Sequence, residues 1–237
     1  MDLINQYNDV RAYTEQICKP LQTEDYVVQV AEFASPAKWQ LAHSSWFFET
    51  FVLLPHLPEY KLFNIDFHYL FNSYYNNAGD RVLRAKRGNL TRPTTNEVYA
   101  YREYVDTAMG QLLQQKLDAE MVQLVTLGLH HEQQHQELLL SDIKYMFGQN
   151  PLFPAYDVET SLLDQESNRE SGHVKISEGV YTIGYQGDGF CFDNELGVHK
   201  VYLHDFEIQK GLVTNGEYIE FIEAGGYKDF NLWLDEG

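Results

Sequence analysis

Leu127-Gly-Leu-His-His-Glu-Gln-Gln-His-Gln-Glu-Leu138 places three of the chain's nine histidines within six positions. His131 and His135 are four residues apart, so on a helix they project from one face, one turn from each other. That spacing lets two imidazoles share one metal ion. It also suits two surface histidines, or two core histidines with satisfied hydrogen bonds. Apolar residues at steps of three and four predict a helix over about 118–147, with Leu124, Leu127, His131, His135 and Leu138 on one stripe. Gly128 lies beside that stripe as a residue that leaves room, and Gln149-Asn150-Pro151 closes the helix.

Three more helices are predicted upstream. Residues 5–17 carry a stripe of Tyr7, Val10, Tyr13 and Ile17, with Pro20 beyond its end. A second helix opens at Ser35-Pro36, a serine at the N-cap and a proline at the first helical position, and runs to Pro55. His43 sits between Trp39 and Trp46 on the aromatic, inward face of this helix. It reads either as a buried, hydrogen-bonded imidazole or as a ligand. Thr94-x-x-Glu97 is a capping box that opens a third helix through Val98, Tyr101, Tyr104, Val105, Met109 and Leu112. Four such helices, two with inward histidines, predict a helix bundle with a metal held between facing helices.

Between the second and third helices, residues 56–94 read as irregular but too aromatic for disorder: Tyr60, Phe63, Phe67, Tyr69, Phe71, Tyr74 and Tyr75, then Asn76 to Asp80. Next come Arg81, Arg84, Lys86, Arg87 and Arg92, five of the seventeen basic residues within twelve positions. Such a patch is either a set of surface ion pairs worth little each, or a clamp for carboxylates, which guanidinium grips in two-pronged geometry.

After Pro151 the texture turns to Pro, Asp, Glu and Ser, and residues 151–172 read as a linker. Short strands are predicted at 173–176, 180–183, 200–203 and 206–208, with a glycine-rich turn through Gly184, Gly187 and Gly189. Thr214 caps a helix through Tyr218, Phe221 and Ile222, and Gly225-Gly226 ends it. The chain thus reads as α+β: a helix bundle over 1–150, a linker, and part of a second domain over 173–237.

The net charge of −18 argues against nucleic acid or an anionic membrane surface as a partner. No apolar run reaches the roughly 18 residues of a membrane span, and the N-terminus lacks a signal-peptide layout. The two cysteines, Cys18 and Cys191, exclude a disulfide framework and point to a cytoplasmic setting. There is no internal repeat of 20–50 residues.

Two metal chemistries compete for the histidines. His131-Glu132-x-x-His135 matches the zinc-peptidase pattern, with Glu132 as general base and a third ligand further along the chain. Glu137 falls about 240° around the helix from His131, off the ligand face. His43, from a facing helix, is the better third ligand. Three neutral imidazoles suit a divalent first-row metal and leave positions open, without separating iron from zinc.

Four stretches together resemble one family. They are Ser35-Pro-Ala-Lys-Trp-Gln-Leu-Ala-His43-Ser-Ser-Trp-Phe-Phe-Glu49, Arg87-Gly-Asn-Leu-Thr-Arg92-Pro93, His130-His131-Glu-Gln-Gln-His135-Gln-Glu137, and Val213 to Tyr227 followed by Leu232-Trp233-Leu234. The family is the sulfoxide synthases of the ergothioneine pathway (the EgtB family). The resemblance implies a DinB-like four-helix bundle followed by a C-type-lectin-like domain of the formylglycine-generating-enzyme type. It implies non-haem Fe(II) on His43, His131 and His135. It further implies O₂ as co-substrate in joining cysteine or γ-glutamylcysteine to the imidazole of hercynine, as a sulfoxide. Arg84 and Arg87, with Arg81 as a further candidate, would then bind the thiol substrate's carboxylates, and Gln134 would touch the imidazole substrate. Glu132 and Glu137 would orient ligands or hold the helix. The family's catalytic tyrosine is expected beyond Gly237, so no tyrosine here is assigned that role. Ovothiol- and selenoneine-type synthases, a zinc peptidase and a non-enzymatic metal-binding bundle are the competing readings.

Overall fold

The structure is a computed structural model and describes residues 2–73, 80–156 and 171–234. It divides into two compact units, Met1–Ser161 and Leu162–Gly237. The first is helical and the second carries small antiparallel sheets, so the α+β reading is borne out. Residues 74–79 of the aromatic segment and 157–170 of the expected linker lie outside the described residues.

Four principal helices build the first unit: α1 (Leu3–Cys18), α2 (Ala37–Phe47), α4 (Thr95–Leu113) and α5 (Ala119–Gln149). A short α3 (Phe67–Phe71) lies between α2 and α4. Helix α1 packs along α5, while α2 packs against both α4 and α5. Trp39, Trp46, Phe48, Tyr101, Met109, Leu139 and Ile143 fill the core. The Thr94 capping box forms as predicted: the Thr94 hydroxyl accepts from Glu97 N–H, and the Glu97 carboxylate accepts from Thr94 N–H.

Three local expectations need correction. Ser35 does not cap α2, because its hydroxyl accepts from Arg87 and its N–H donates to Asp142, leaving Pro36 at the cap. Nor does α2 stop at Pro55. It continues as a π-helical segment, Phe48–Leu53, and one α-turn, Leu54–His56, ending one residue past the proline. The widened segment points Glu49 inward, where its carboxylate accepts from the hydroxyls of Tyr60 and Tyr101 and from Phe63 N–H. Residues 56–94 are also less irregular than expected, since they contain α3 and a 3₁₀ segment, Arg84–Asn89.

The inward faces differ too. On α1 the buried residues include Arg11 and Thr14, while Tyr13 is 51% exposed. On α4, Arg102 is buried and Tyr104 reaches out to the Lys61 carbonyl. On α5 the buried stripe runs through Val125, Gly128, Glu132, Gln136 and Leu139. Leu127 and Leu138 flank it, so the two histidines sit at the edge of the buried face. Apolar periodicity misses these positions because the residues that go inward are charged and mutually paired.

In the second unit β1 (His173–Ile176) pairs antiparallel with β4 (Phe206–Gln209), and β2 (Gly179–Ile183) with β3 (His199–Leu203). Helix α6 (Asn215–Glu223) opens on a Thr214–Glu217 capping box and closes at Gly225, whose φ of 83° suits a residue without Cβ. Tyr227 stacks on Trp233, whose indole N–H donates to the Gly226 carbonyl.

Gly128 on α5 packs against the rings of Phe47 and Phe48. A Cβ there would lie 2.6 Å from Phe48 Cε1 and 2.8 Å from Phe47 Cε1. Gly128→Ala is therefore expected to destabilise the bundle by roughly 1–3 kcal/mol, despite alanine's better helix propensity. Urea denaturation followed by tryptophan fluorescence measures it, and an unchanged midpoint would contradict the close approach.

Candidate metal centre

His43 on α2 and His131 and His135 on α5 converge, with ring nitrogens within 4.8 Å of one another. Ring stacking sets their planes. The His43 imidazole lies between Trp39 and Trp46, with centroids 4.5 and 5.4 Å away, and His131 stacks on Phe47 at 4.7 Å.

Hydrogen bonds set the tautomers of two of them. His43 Nδ1 lies 2.6 Å from the Phe71 carbonyl oxygen. A carbonyl only accepts, so Nδ1 carries the proton and Nε2 offers its lone pair. The Trp39 indole N–H donates to the neighbouring Leu70 carbonyl. The C-terminal end of α3, whose carbonyls have no partner within the helix, thus holds both α2 side chains. His135 Nδ1 meets Gln40 Oε1, and Gln40 Nε2 donates to Asp142 Oδ2 at 3.1 Å. The carboxylate fixes which end of the amide faces His135, making Nδ1 the donor there as well.

Burial keeps all three rings neutral. It lowers His43 well below the ordinary imidazole range, helped by His135 and His131. Burial likewise brings His131 down to about 4, and burial with the neighbouring His131 brings His135 to about 3. Three neutral, convergent nitrogen donors, two with their outer N–H groups held by acceptors, fit a divalent first-row metal.

The histidines open onto a cavity of about 250 Å³ lined also by Ser35, Trp39, Gln40, Ser73, Arg84, Arg87, Gln134 and Leu138. Of the basic residues, Arg84 and Arg87 line this cavity, whereas Arg81 is not among its lining residues. Arg87 is buried, with its guanidinium carbon 3.3 Å above the Trp39 ring, and donates to Ser35 and Ser73 hydroxyls. Arg84 is half-buried, and its Nε has no hydrogen-bond partner among the described residues. The loop bearing both is strapped down by Gln29, which binds the Arg84 carbonyl and Gly88 N–H, and by Lys38, which donates to the Leu90 and Pro93 carbonyls.

Glu132 is absent from the cavity wall. It is fully buried behind the histidines, accepting from Arg11, Arg102 and Thr14. Burial alone would raise its carboxyl, but the two guanidinium groups and these hydrogen bonds hold it at about 2. Glu137 points to solvent and takes no part in the site. Sequence reasoning did not single out Gln40 and Asp142. Their signal was positional: Gln40 is three residues before His43, and Asp142 two turns after His135.

The fold and site define a class: a helical unit in which three histidines converge, followed by a second unit of small antiparallel sheets. A family model described as the sulfatase-modifying factor enzyme 1-like domain matches residues 159–236. The chain is 25% identical over 206 residues to a hercynine oxygenase of Mycolicibacterium smegmatis, covering 86% of this chain and 46% of that protein. Hercynine oxygenases of Mycolicibacterium thermoresistibile (28% over 109 residues, 45% of this chain and 24% of that one) and Mycobacterium tuberculosis (35% over 111 residues, 46% and 25%) are also similar. The chain is thus similar to hercynine oxygenases, consistent with the resemblance of its motifs, and spans less than half the length of these proteins. Among the described residues no helix is long and apolar enough to cross a membrane.

The lowered histidines have a consequence for stability. Between about pH 6.5 and pH 4 the unfolded chain takes up protons at these sites that the folded, metal-free protein refuses. Their contribution is therefore complete above about pH 6.5 and is lost as pH falls. The urea midpoint of metal-free protein is expected to drop from pH 7 to pH 5, and His135→Asn to flatten that slope.

Proposed function

We propose that this chain carries the metal-binding bundle of a non-haem iron, O₂-dependent sulfoxide synthase. In this reading the enzyme joins cysteine or γ-glutamylcysteine to the imidazole of hercynine in ergothioneine biosynthesis. The observation that carries it is the convergence of His43, His131 and His135 on a cavity edged by Arg84 and Arg87. Support comes from the names of the similar proteins and from the match over residues 159–236.

His43, His131 and His135 hold Fe(II), which when bound supplies the activation of O₂ and the electron transfers needed to form a C–S bond. The protein's part is positioning. Gln40 and the Phe71 carbonyl keep two imidazoles aimed inward, and the aromatic walls keep water away from them. Arg84 grips a carboxylate of the thiol substrate with its guanidinium, while Arg87, engaged by Ser35 and Ser73, adds positive potential from below. Gln134 offers its amide to the substrate imidazole. A cytoplasmic setting fits the reduced thiol substrate. The peptidase reading needs Glu132 as a base at the cavity, and its burial between two arginines argues against that.

Fe(II) added anaerobically is expected to bind one per chain, and His43→Ala to weaken binding as strongly as His135→Ala. Undiminished binding in the His43 variant would overturn the three-histidine site. For the reaction, assayed in a chain that also carries the segment expected beyond Gly237, O₂ consumption that requires both hercynine and a thiol, with a sulfoxide product found by mass spectrometry, is the expected result. Zinc retention with Glu132-dependent peptide cleavage would favour a peptidase, and metal binding without O₂ consumption in that longer chain a scaffold. Arg84→Ala is expected to raise the thiol KM by about 10–100-fold, the cost of roughly one charged hydrogen-bonded pair, with little change for hercynine.

A further inference from the structure

Behind the cavity, on the face of α5 adjacent to the metal-binding histidines, lies a buried polar cluster that draws on all four principal helices. Glu132 Oε1 accepts from Thr14 Oγ1 at 2.7 Å and Arg102 Nη2 at 3.2 Å, and Oε2 accepts from Arg11 Nη1 at 2.9 Å. Arg11 also binds Asp106 through Nε at 2.6 Å and the Ser45 hydroxyl through Nη2 at 2.7 Å. Arg102 Nη1 donates to the Ser44 hydroxyl and the Leu41 carbonyl, both at 3.0 Å, and Nη2 to the Arg11 carbonyl at 3.1 Å. Two guanidinium groups face the buried carboxylate of Glu132 and that of Asp106, and a third carboxylate, Glu15, approaches Arg102 from the half-exposed edge.

We infer that this cluster is a rotational lock for the metal centre, and that Arg11, Thr14, Arg102 and Glu132 are positioning residues acting through the histidines. The inference rests on the three-histidine reading above. Its geometry is direct. Ser44 follows His43 and Glu132 follows His131, and successive side chains on a helix are about 100° apart. Pinning Ser44 and Glu132 to shared arginines therefore fixes the angle at which His43 and His131 leave their helices. Apolar packing alone tolerates small rotations of one helix on another, because hydrophobic contact is not directional. Hydrogen bonds to a planar guanidinium do not. Stability is a poor explanation for so many buried charges, since apolar residues of similar volume hold helices together equally well or better.

The test uses Co(II) alone, whose visible spectrum reports coordination geometry, on the parent protein, His135→Ala, Glu132→Gln and Thr14→Val. His135→Ala should abolish binding; if it does not, the metal reading itself fails. Given that loss, Glu132→Gln is expected to weaken Co(II) binding at least tenfold and to alter the spectrum, in line with the about 10–100-fold typical of groups that orient ligands. Thr14→Val removes a single hydroxyl and no charge. It decides the matter if Glu132→Gln does not fold, and should shift the spectrum in the same sense while the protein remains folded with a lowered thermal midpoint. Parent affinity and spectrum in a folded Glu132→Gln or Thr14→Val protein would overturn the inference.

Discussion

A carboxylate taken out of water must be matched by charge and by donors, or the helices that bury it separate. Glu132 meets that demand with two arginines and a threonine drawn from two other helices. The arginines in turn reach the serines that follow His43. Much else depends on this one group. It sets which face of α5 turns inward, and so places His131 and His135 at the rim of the buried stripe, where they meet a cavity.

The histidine centre obeys the opposite rule. There burial outweighs the pull of the Glu132 carboxylate on His131 and His135, so the neutral rings are favoured. Two arginines stand nearby, on the far side of Trp39 and the cavity rim, and they add to the same effect on His135. Two adjacent faces of α5 thus follow different rules, one keeping charge and the next favouring neutral rings.

Much of the fold was legible because its signals are local. The Thr94 and Thr214 boxes and the four strands depend on residues within a few positions of one another. The pairing of His131 with His135 is equally local. Assigning His43 to the same centre needed the bundle architecture, and the convergence of the three rings is a tertiary fact. What stayed hidden was of one kind: Arg11, Thr14, Arg102 and Glu132 are polar residues on inward faces, and a reading of apolar periodicity assigns such residues to solvent. The same blindness put Leu127 and Leu138 on the buried stripe and left Gln40 and Asp142 unremarked. The serine at the start of α2 misled for a related reason. Its sequence context fits a cap, but Arg87, fifty-two positions away, claims its hydroxyl.

Trp39 and Trp46 sandwich His43, and the chain's third tryptophan, Trp233, lies in the other unit. The bundle therefore contains its own optical probe. An ion with a partly filled d shell held by His43 would sit within a few ångströms of two indoles and drain their emission, whereas a closed-shell ion such as zinc would not. Occupancy at the centre, and the electronic character of whatever fills it, can be followed in the unmodified protein by the light its own side chains give off.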